Sequence, residues 1–189
     1  MAKIGLTNLW YGHLTEGVDG TPSYAGALSF GKAISCSTEI TNNEAMLYAD
    51  DTLAESDTSF NNGTMTLGVD EDSETVFADV LGHTVDSNGA VVKTSSDTAP
   101  YVGIGRVITK MVNGAYKYKA EFIYKVKFAE PSSEDNTKGE SVEFATPEIE
   151  GTISALADEK GTWCTTKTFD TKADAVAFIK DILGENTSL

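Results

Sequence analysis

The residue types that most often carry chemistry are scarce in this chain of 189 residues. Its two histidines, His13 and His83, have no nearby cysteine or second histidine at the spacing of a metal-binding motif. The two cysteines, Cys36 and Cys164, are far apart and match none of the CxxC-type spacings of zinc sites or redox centres. We therefore expect histidines with structural or surface roles, two buried free thiols with a disulfide as the alternative, and no bound metal.

Two stretches approach known catalytic or ligand-binding motifs, and each lacks a residue that the motif requires. Residues 26–31, GALSFG, resemble a nucleophile elbow, but that motif needs a glycine two residues before the serine, where Ala27 stands. Residues 70–74, DEDSE, resemble the start of a calcium loop, but Thr75 and Leu81 replace its glycine and its bidentate glutamate. The sequence also contains no phosphate-binding glycine-rich loop. It thus predicts no catalytic residue and no cofactor.

The charge balance separates this chain from proteins that bind nucleic acid through its phosphates. It carries 29 acidic and 14 basic residues, for a net charge of -15, whereas phosphate binding needs a basic surface. The charges are also segregated, because no Lys or Arg lies between Lys32 and Lys93, and half of them lie between Arg106 and Lys138. Acidic and basic faces are therefore available for contacts within one molecule or between copies.

Nothing in the sequence predicts export or membrane insertion. The first residues, MAKIGLTNLW, lack the basic start and apolar run of a signal peptide. No apolar stretch reaches the roughly 20 residues of a membrane span. We expect a protein that is made and kept in a reducing cytoplasm without a membrane partner, and organised at this length as a single domain, 1–189.

The fold is predicted to be mainly β, because Asn-Gly, Asp-Gly and Lys-Gly turn signals separate β-branched and aromatic segments along most of the chain. Only two stretches look helical. A short flanking helix is expected over residues 73–81, with acids at its N-terminal end and Gly82 after it. A C-terminal helix is expected over residues 172–183, where Thr171 and Asp174 form a pattern like a capping box.

The clearest element is a β-hairpin over residues 101–128, with Asn113-Gly114 as its two-residue turn. Pairing outward from the turn continues as far as Gly103 opposite Tyr124. One face of this hairpin is aromatic and is expected to pack on the core. The other face is cationic, and its members are Arg106, Lys110, Lys117, Lys119, Lys125 and Lys127.

Two further segments alternate between apolar and small or polar residues, as half-buried strands do. Over residues 64–70, Met65, Leu67 and Val69 are expected to point inward. Over residues 27–40 the odd positions are small or polar, and the even positions are largely apolar. These apolar even positions are Leu28, Phe30, Ile34, Cys36 and Ile40.

Two long polar stretches are predicted to be loops, at about residues 49–59 and 130–142. They carry mostly Asp, Glu, Ser, Thr and Asn rather than groups that would converge on a catalytic pocket. We therefore expect them to contact another polypeptide, and to be mobile until they do so. Thr146-Pro147, in the strand after the second stretch, shifts the alternation and predicts a bulge or a sheet edge.

A succession of short motifs runs in order along nearly the whole chain. The motifs are AMLYADD at residues 45–51, LGH at 81–83, APYV at 99–102, KFAEP at 127–131, TKG at 137–139 and EFATP at 143–147. Together they resemble the major tail proteins, or tail-tube proteins, of long-tailed bacteriophages with non-contractile tails, in particular those of phages of Gram-positive hosts.

This resemblance implies a structural virion protein without enzymatic activity. Such subunits have a β-sandwich core with a flanking helix, and they form six-fold rings whose inner sheets join into one barrel around a bore. The rings stack through long loops around a tape-measure protein, and the tube also meets tail-terminator and distal-tail proteins. The tube is assembled in the cytoplasm of the host bacterium, belongs to the virion tail and conducts DNA without binding it specifically.

A conduit for DNA needs an inner wall of small side chains and negative charge, whose repulsion reaches about 8 Å at physiological salt. The residues expected to line the bore are Ser35, Ser37, Glu39, Thr64, Thr66 and Asp70. The residues expected to contact neighbouring subunits are Asp50, Asp51, Glu55, Arg106, Lys117, Lys119, Glu130, Pro131, Thr137 and Lys138. The cationic hairpin face would meet the acidic segment of an adjacent copy or, as the alternative, form a solvated outer wall.

The main alternative function is a carbohydrate-binding or adhesin-like β-sandwich module. Such modules present clustered Trp or Tyr side chains on an exposed face. In this sequence Trp10 and Trp163 lie near opposite ends of the chain, which favours the tail-tube interpretation.

Overall fold

A computed structural model describes residues 2–49, 52–70, 74–132 and 147–185 of the chain. Within these residues the fold is mainly β, as the sequence predicts, with eleven strands and two helices. The strands are β1 (Ala2–Glu16), β2 (Pro22–Tyr24), β3 (Leu28–Gly31), β4 (Ala33–Ala49), β5 (Thr52–Val69), β6 (Thr84–Val85), β7 (Val91–Val92), β8 (Val102–Val112), β9 (Ala115–Phe128), β10 (Glu148–Ile153) and β11 (Cys164–Phe169). The helices are α1 (Glu74–Leu81) and α2 (Lys172–Ile182).

Nine of the described strands form one sheet in the order β2-β1-β8-β9-β10-β5-β4, with β3 paired to β1 and β11 paired to β9. Only Lys32 separates β3 from β4 along the chain, yet β3 pairs with β1 and β4 pairs with β5, near the two ends of this order. The sheet must therefore wrap around a core so that its ends approach each other at Lys32. A wrapped sheet of this kind is consistent with the expected β-sandwich.

The main core lies inside the wrapped sheet. Met65, Leu67 and Val69 point into it from β5 and are at most 1% exposed, as the alternation predicts. α1 forms where the first predicted helix was expected, and it adds Val80 and Leu81 to the same cluster. This core needs residues from β1, β3, β5, β8, β9 and β10, so only the complete sheet can bury it.

A second, smaller core lies between α2 and the β8–β9 hairpin. Phe122 of β9 and Ile179 of α2 are both fully buried there. Gly105 allows the close approach, because a Cβ at this position would lie 2.2 Å from Ile179 Cγ2. α2 begins as predicted, with Thr171 Oγ1 accepting a hydrogen bond of 3.2 Å from the Asp174 backbone N–H. The aromatic hairpin face therefore packs on the helix, while the other face supplies part of the main core.

A β-bulge in β9 corrects the predicted hairpin register at its open end. The pairing matches the prediction from the turn as far as Ile104 opposite Ile123, but Val102 then pairs with Val126 instead of residue 125. The extra residue reverses the alternation, so that Ile123 before the bulge and Val126 after it are both buried in the main core. Gly103 is therefore not opposite Tyr124 in the ladder.

The same bulge divides the predicted cationic face. Lys117 and Lys119 precede the bulge and lie on the side of Ile123. Lys125 and Lys127 follow it and lie on the opposite side, where both ammonium groups stand over the ring of Tyr101. The six cations thus belong to two surfaces rather than one.

The segment 27–40 forms two strands, β3 and β4, rather than the single half-buried strand that the alternation predicts. Phe30 is buried as expected, but Leu28 is 46% exposed and Ile34 is 50% exposed. The reason for Ile34 is a register shift between Ala33 and Ser35, which interrupts the alternation. Cys36 returns to a half-buried position against the main core.

The predicted loop at 49–59 is largely strand. β4 and β5 pair from Ala33 opposite Val69 to Ala49 opposite Thr52, with three register shifts along the way. β10 covers β5 only as far as Gly63, so residues 41–49 and 52–62 project from the sheet as a two-stranded ribbon. At about 3.3 Å per residue the ribbon is roughly 30 Å long. The polar side chains of residues 41–46, 56–59 and 61–62 are exposed. The segment has no regular hydrophobic alternation, which is why the sequence predicts a loop there.

The strand after the second polar stretch also differs from expectation. Pro147 lies just before β10, and its carbonyl accepts a hydrogen bond of 3.2 Å from the Val69 backbone N–H. β10 runs between β9 and β5, so it is an interior strand and not an edge. The predicted phase after the proline is confirmed, because Ile149 and Ile153 are fully buried. The bulge expected at Thr146 lies outside the described residues.

Candidate functional site

Five of the six residues predicted to line the bore lie together on the exposed side of β4 and β5. The register places Ser37 opposite Thr66 and Glu39 opposite Thr64, and places Ser35 opposite Gly68. Because side chains alternate along a strand, this side is the reverse of the one that carries Met65 and Leu67 into the core. Cross-strand neighbours on one face are about 5 Å apart, so these residues form one continuous surface.

β10 extends this surface by three residues that the sequence analysis did not select. Glu148 lies opposite Gly68, Glu150 lies opposite Thr66, and Thr152 lies opposite Thr64. All three are exposed. The signal was present in the alternation of Glu148 to Ile153, but only the strand order shows that β10 lies beside β5. We call the surface formed by these residues the acidic face. Its members are Ser35, Ser37, Glu39, Thr64, Thr66, Glu148, Glu150 and Thr152.

Asp70, the sixth predicted residue, lies just beyond the end of β5 and is bound to the β3–β4 connection. Its Oδ1 accepts a hydrogen bond of 3.2 Å from the Lys32 backbone N–H, and its Oδ2 lies 3.2 Å from Lys32 Nζ. The negative charge of Asp70 is therefore partly balanced by Lys32 and partly used to hold the two strands together.

The acidic face combines three carboxylates with short hydroxyl side chains. No Lys or Arg occurs among the face residues of β4, β5 and β10, and the nearest cation in the register is Lys127 of β9, opposite Thr152. Because the glutamates are exposed on a surface without counter-charges of its own, their field extends into the solvent in front of it. Such a surface repels polyanions and offers no large side chain on which a ligand would stack.

The other charged region of the sheet is paired within the chain. Arg106 is only 8% exposed, and its Nε donates a hydrogen bond of 2.8 Å to Glu121 Oε1. Lys119 Nζ lies 2.6 Å from the second oxygen of the same carboxylate. Burial alone would raise the pKa of Glu121, but hydrogen bonds from Lys119 and the charge of Arg106 outweigh it, so the pKa lies below its ordinary value.

Arg106 also ties the hairpin to the edge strand β4. Its guanidinium donates to Thr38 Oγ1 at 3.1 Å and contacts the Cys36 thiol. Both cysteines are free thiols at half-buried positions. Burial raises the pKa of Cys36 and raises the pKa of Cys164 to about 11, so neither is an activated thiolate.

Two more of the hairpin cations are paired within the chain. Lys117 pairs with Asp170, and Lys125 pairs with Glu16. Both positive charges are thus balanced internally, which reduces what they offer to a neighbouring molecule. Contacts of Arg106, Lys117 and Lys119 with another subunit stay a prediction.

Glu130 belongs to a cluster around His83. His83 Nδ1 lies 2.6 Å from Asp97 Oδ2, and its Nε2 lies 2.8 Å from Glu130 Oε2, while Lys93 also pairs with Glu130. Hydrogen bonds to Asp97 and to Glu130 raise the pKa of His83. Hydrogen bonds from Thr94, and then from His83, lower the pKa of Asp97 to about 2.

The His83 cluster joins three parts of the chain that only the fold brings together. His83 follows α1, Asp97 lies in the connection to β8, and Glu130 follows β9. No pattern in the sequence predicts this cluster, because the partners are 14 and 47 residues from His83. His83 thus has a structural role, and it holds the chain at Glu130, where the second polar stretch begins.

Of the other predicted contact residues, Asp50, Asp51, Thr137 and Lys138 lie outside the described residues. Glu55 is placed only by its backbone, which pairs with Leu47 in the ribbon.

The remaining histidine and the two tryptophans have local partners. Asp79 of α1 accepts a hydrogen bond of 2.8 Å from the Tyr11 hydroxyl and lies 2.9 Å from His13 Nε2, which attaches the helix to β1.

Trp163 stacks on Phe60 with ring centroids 5.0 Å apart. Lys180 Nζ lies 4.4 Å from the centroid of Trp10. The tryptophans therefore do not share one exposed platform of the kind that binds sugars.

Comparison with known proteins assigns no family. No protein-family model matches the chain, and a search of curated proteins finds no match. In the described part of the chain no helix has the length and apolar character needed to cross a membrane. Over the same residues no group of three or more potential ligands is placed to hold a metal ion. The acidic face and the strand edges are therefore the features of the molecule that indicate a function.

Proposed function

We propose that this chain is the structural subunit of a bacteriophage tail tube. It would polymerise as stacked hexameric rings, with a tape-measure protein inside during assembly and with tail-terminator and distal-tail proteins at the tube ends. The tube would be assembled in the host bacterial cytoplasm, remain in the virion tail and conduct DNA into the next host cell. The observation that carries this proposal is the acidic face, a three-strand surface of hydroxyls and unpaired carboxylates.

The chemistry of the acidic face suits the inner wall of a DNA conduit. DNA carries one phosphate charge per about 1.7 Å of its axis, so even a weakly attractive wall would retain it. Carboxylates repel it over about 8 Å at physiological salt, which keeps the duplex away from the wall. Ser and Thr side chains hold water and present neither cations nor aromatic rings to the phosphates and bases.

The edge next to the acidic face suits assembly into rings. In the described part of the chain β4 pairs with β5 alone, so the outer edge of this 17-residue strand has no partner strand. An edge of this length invites pairing with another chain. Pairing it with a neighbouring subunit in a closed ring would remove the edge and join the acidic faces into one inner surface.

Electron microscopy of the concentrated protein in negative stain tests the proposed function. We expect rings and hollow tubes, because the exposed edge and the ribbon both favour self-association. Monomers that persist at every concentration and that bind glycans in an array would contradict it and support the carbohydrate-binding alternative.

Charge reversal of the acidic face tests its place in the bore. In phage that carry Glu39→Lys together with Glu150→Lys, we expect tubes to assemble but DNA ejection to slow or stop, because the lysines would bind passing phosphates. Glu159→Lys, in the exposed turn before β11, is the control with the same kind of change. Ejection at the wild-type rate by the double variant would remove the acidic face from the bore, and the tube assignment would lose the observation that carries it.

A further inference from the structure

A second candidate site lies away from the acidic face, in an open cleft of about 540 Å³. Its walls come from residues 6–10 of β1, the end of β3, Lys32 and Lys172. This volume lies within the range of protein pockets that hold a ligand. None of the residues that form the acidic face contributes to it.

The cleft exists because β1 and β3 bend apart. Asn8 and Gly31 both have positive φ, at 55° and 113°. In the ladder with β8, Thr7 pairs with Val107 but Trp10 pairs with Gly105, so β1 has a bulge at residues 8 and 9. Such a bulge redirects a strand and leaves one residue without a regular partner.

Three polar side-chain atoms at this bulge are buried without a hydrogen-bond partner. They are Thr7 Oγ1, Asn8 Oδ1 and Trp10 Nε1, and they are the whole set of such atoms in the part of the chain that the structure describes. All three residues line the cleft. Buried polar groups in native proteins are nearly always paired, so a cluster of unpaired ones indicates that a partner is missing.

The backbone on the cleft side of β1 is unpaired as well. β3 pairs with β1 only at Leu9 to Tyr11, whereas β8 pairs with the other side of β1 from Ala2 onward. Residues 2–8 of β1 therefore have an open edge within the described chain, and residues 6–8 of this edge line the cleft. An extended segment that pairs with this edge would supply donors and acceptors to the backbone and to the bulge.

The charge around the cleft favours an acidic segment. Lys172 is exposed at the start of α2, where the helix dipole also favours negative charge. The ammonium group of Lys32 is at the rim and is shared with Asp70 at 3.2 Å. An acidic strand would therefore gain both backbone pairing and charge complementarity.

The ribbon of β4 and β5 fits this description. Its two strands, residues 41–49 and 52–62, are extended and contain Glu44, Glu55 and Asp57 but no Lys or Arg. The ribbon cannot reach the cleft of its own chain, because β4 leaves the cleft at Ala33 and the ribbon begins only at residue 41 of the same strand, about 26 Å farther along at 3.3 Å per residue. Its partner cleft must belong to another copy.

We propose that the cleft between β1 and β3 receives the ribbon of a second copy of this chain, which pairs with the open edge of β1 and brings its carboxylates to Lys172. This inference rests on the proposed function in one respect, which is that the docking partner is a second copy of the same chain. The ribbon of one copy and the cleft of the next are different surfaces, so the contact runs head to tail. Such a contact propagates along a stack instead of closing in a dimer.

Charge reversal at the cleft is the main test. Lys172→Glu should raise the critical concentration for self-association about tenfold, because it places like charges together. Glu44→Lys with Asp57→Lys in the same chain should restore it to within about threefold, as expected for groups that interact. The Lys172→Glu variant should still fold, because a glutamate in the first turn of α2 interacts favourably with the helix dipole. Lys160→Glu, in the exposed turn after Asp158, is the matched control.

Thr7→Val tests whether the Thr7 hydroxyl serves the docking of a second copy or the stability of the fold. It removes one unpaired hydroxyl with little change in shape, so the melting temperature of the dispersed protein should be unchanged or higher. The critical concentration should rise several-fold, because the docked strand loses a partner. A lower melting temperature with unchanged association would show that the hydroxyl serves the fold alone and would overturn the inference.

The outcomes for the inference and for the proposed function are distinguishable. If Lys172→Glu and Thr7→Val form tubes as the wild type does, the docking site is wrong while the tube assignment stands. If the wild type forms only finite oligomers that still need Lys172 and are restored by ribbon reversal, the docking site stands while the tube assignment fails. A wild type that never associates overturns both.

Discussion

The β8–β9 hairpin and the acidic face are both rich in charge, but they balance it in opposite ways. In the hairpin Glu121 is held between Arg106 and Lys119, and the two residues of the Arg106–Glu121 pair have side chains only 10% and 12% exposed. On the acidic face Glu39 and Glu150 are exposed, and their strands contribute no cation to the surface.

This difference shows two uses of charge in one sheet. A carboxylate that is nearly buried beside two cations contributes to the fold, and its field hardly extends beyond the molecule. An exposed carboxylate without a counter-charge contributes little to the fold, and its field acts on what lies outside. The excess of acidic residues therefore matters for function mainly where the structure leaves it unpaired.

Removal of the hairpin carboxylate should have the largest effect on stability. We expect Glu121→Ala to lower the free energy of unfolding by about 3–5 kcal/mol, because it leaves the Arg106 guanidinium buried without its partner. Urea unfolding followed by circular dichroism measures this change. Glu150→Ala is the matched control and should change it by less than about 0.5 kcal/mol. Equal effects at the two positions would show that the division between paired and unpaired charge is wrong.

The contribution of the His83 cluster to the free energy of unfolding should depend on pH. The folded pKa of His83 is raised above its ordinary value of 6.5. Its contribution is therefore complete below that ordinary value, and it is lost as the pH rises through the raised folded value. We expect His83→Asn to destabilise the protein by about 1–2 kcal/mol near pH 6 and by less at higher pH.

Urea unfolding of the wild type and His83→Asn at a series of pH values tests this sign. The two curves should converge as the pH rises. A difference that grows with rising pH would show that His83 is held as the neutral form between Asp97 and Glu130.

An exposed pair should have the smallest effect. Lys117 pairs with Asp170, whose side chain is 81% exposed. Surface pairs of this kind contribute about 0–1 kcal/mol because solvent screens them. We therefore expect Lys117→Ala to lower the free energy of unfolding by less than about 1 kcal/mol in the same urea assay. A loss as large as that of Glu121→Ala would mean that exposure does not decide which hairpin charges serve the fold.

Features with local signals could be predicted from the sequence. Asn113-Gly114 specifies its own turn, and the pairs nearest to it follow by counting outward. Thr171 caps α2 through a contact only three residues away. The bulge in β9 has no such signal, because it depends on how Val102 packs in a core built from six strands. Counting outward from the turn therefore fails where the hairpin joins that core.

The candidate site was predictable only in part for the same reason. The small or polar residues of β4 and β5 were identified by alternation, since each strand carries its own period of two. The contribution of Glu148 and Glu150 was not, because it depends on β10 lying beside β5. The ribbon was read as a loop, since a strand that buries neither face has no hydrophobic alternation to reveal it.

By itself the sequence determined the mainly β class, the central hairpin, both helices and the separation of acidic from basic segments. These features depend on turn residues, capping groups and periodicity, which act over a few residues. Only the tertiary structure decided which carboxylates are paired, which strand edges stay open and where the unpaired groups of β1 lie. Those outcomes depend on contacts between residues far apart in the chain, and their energies exist only once the sheet has wrapped around its core.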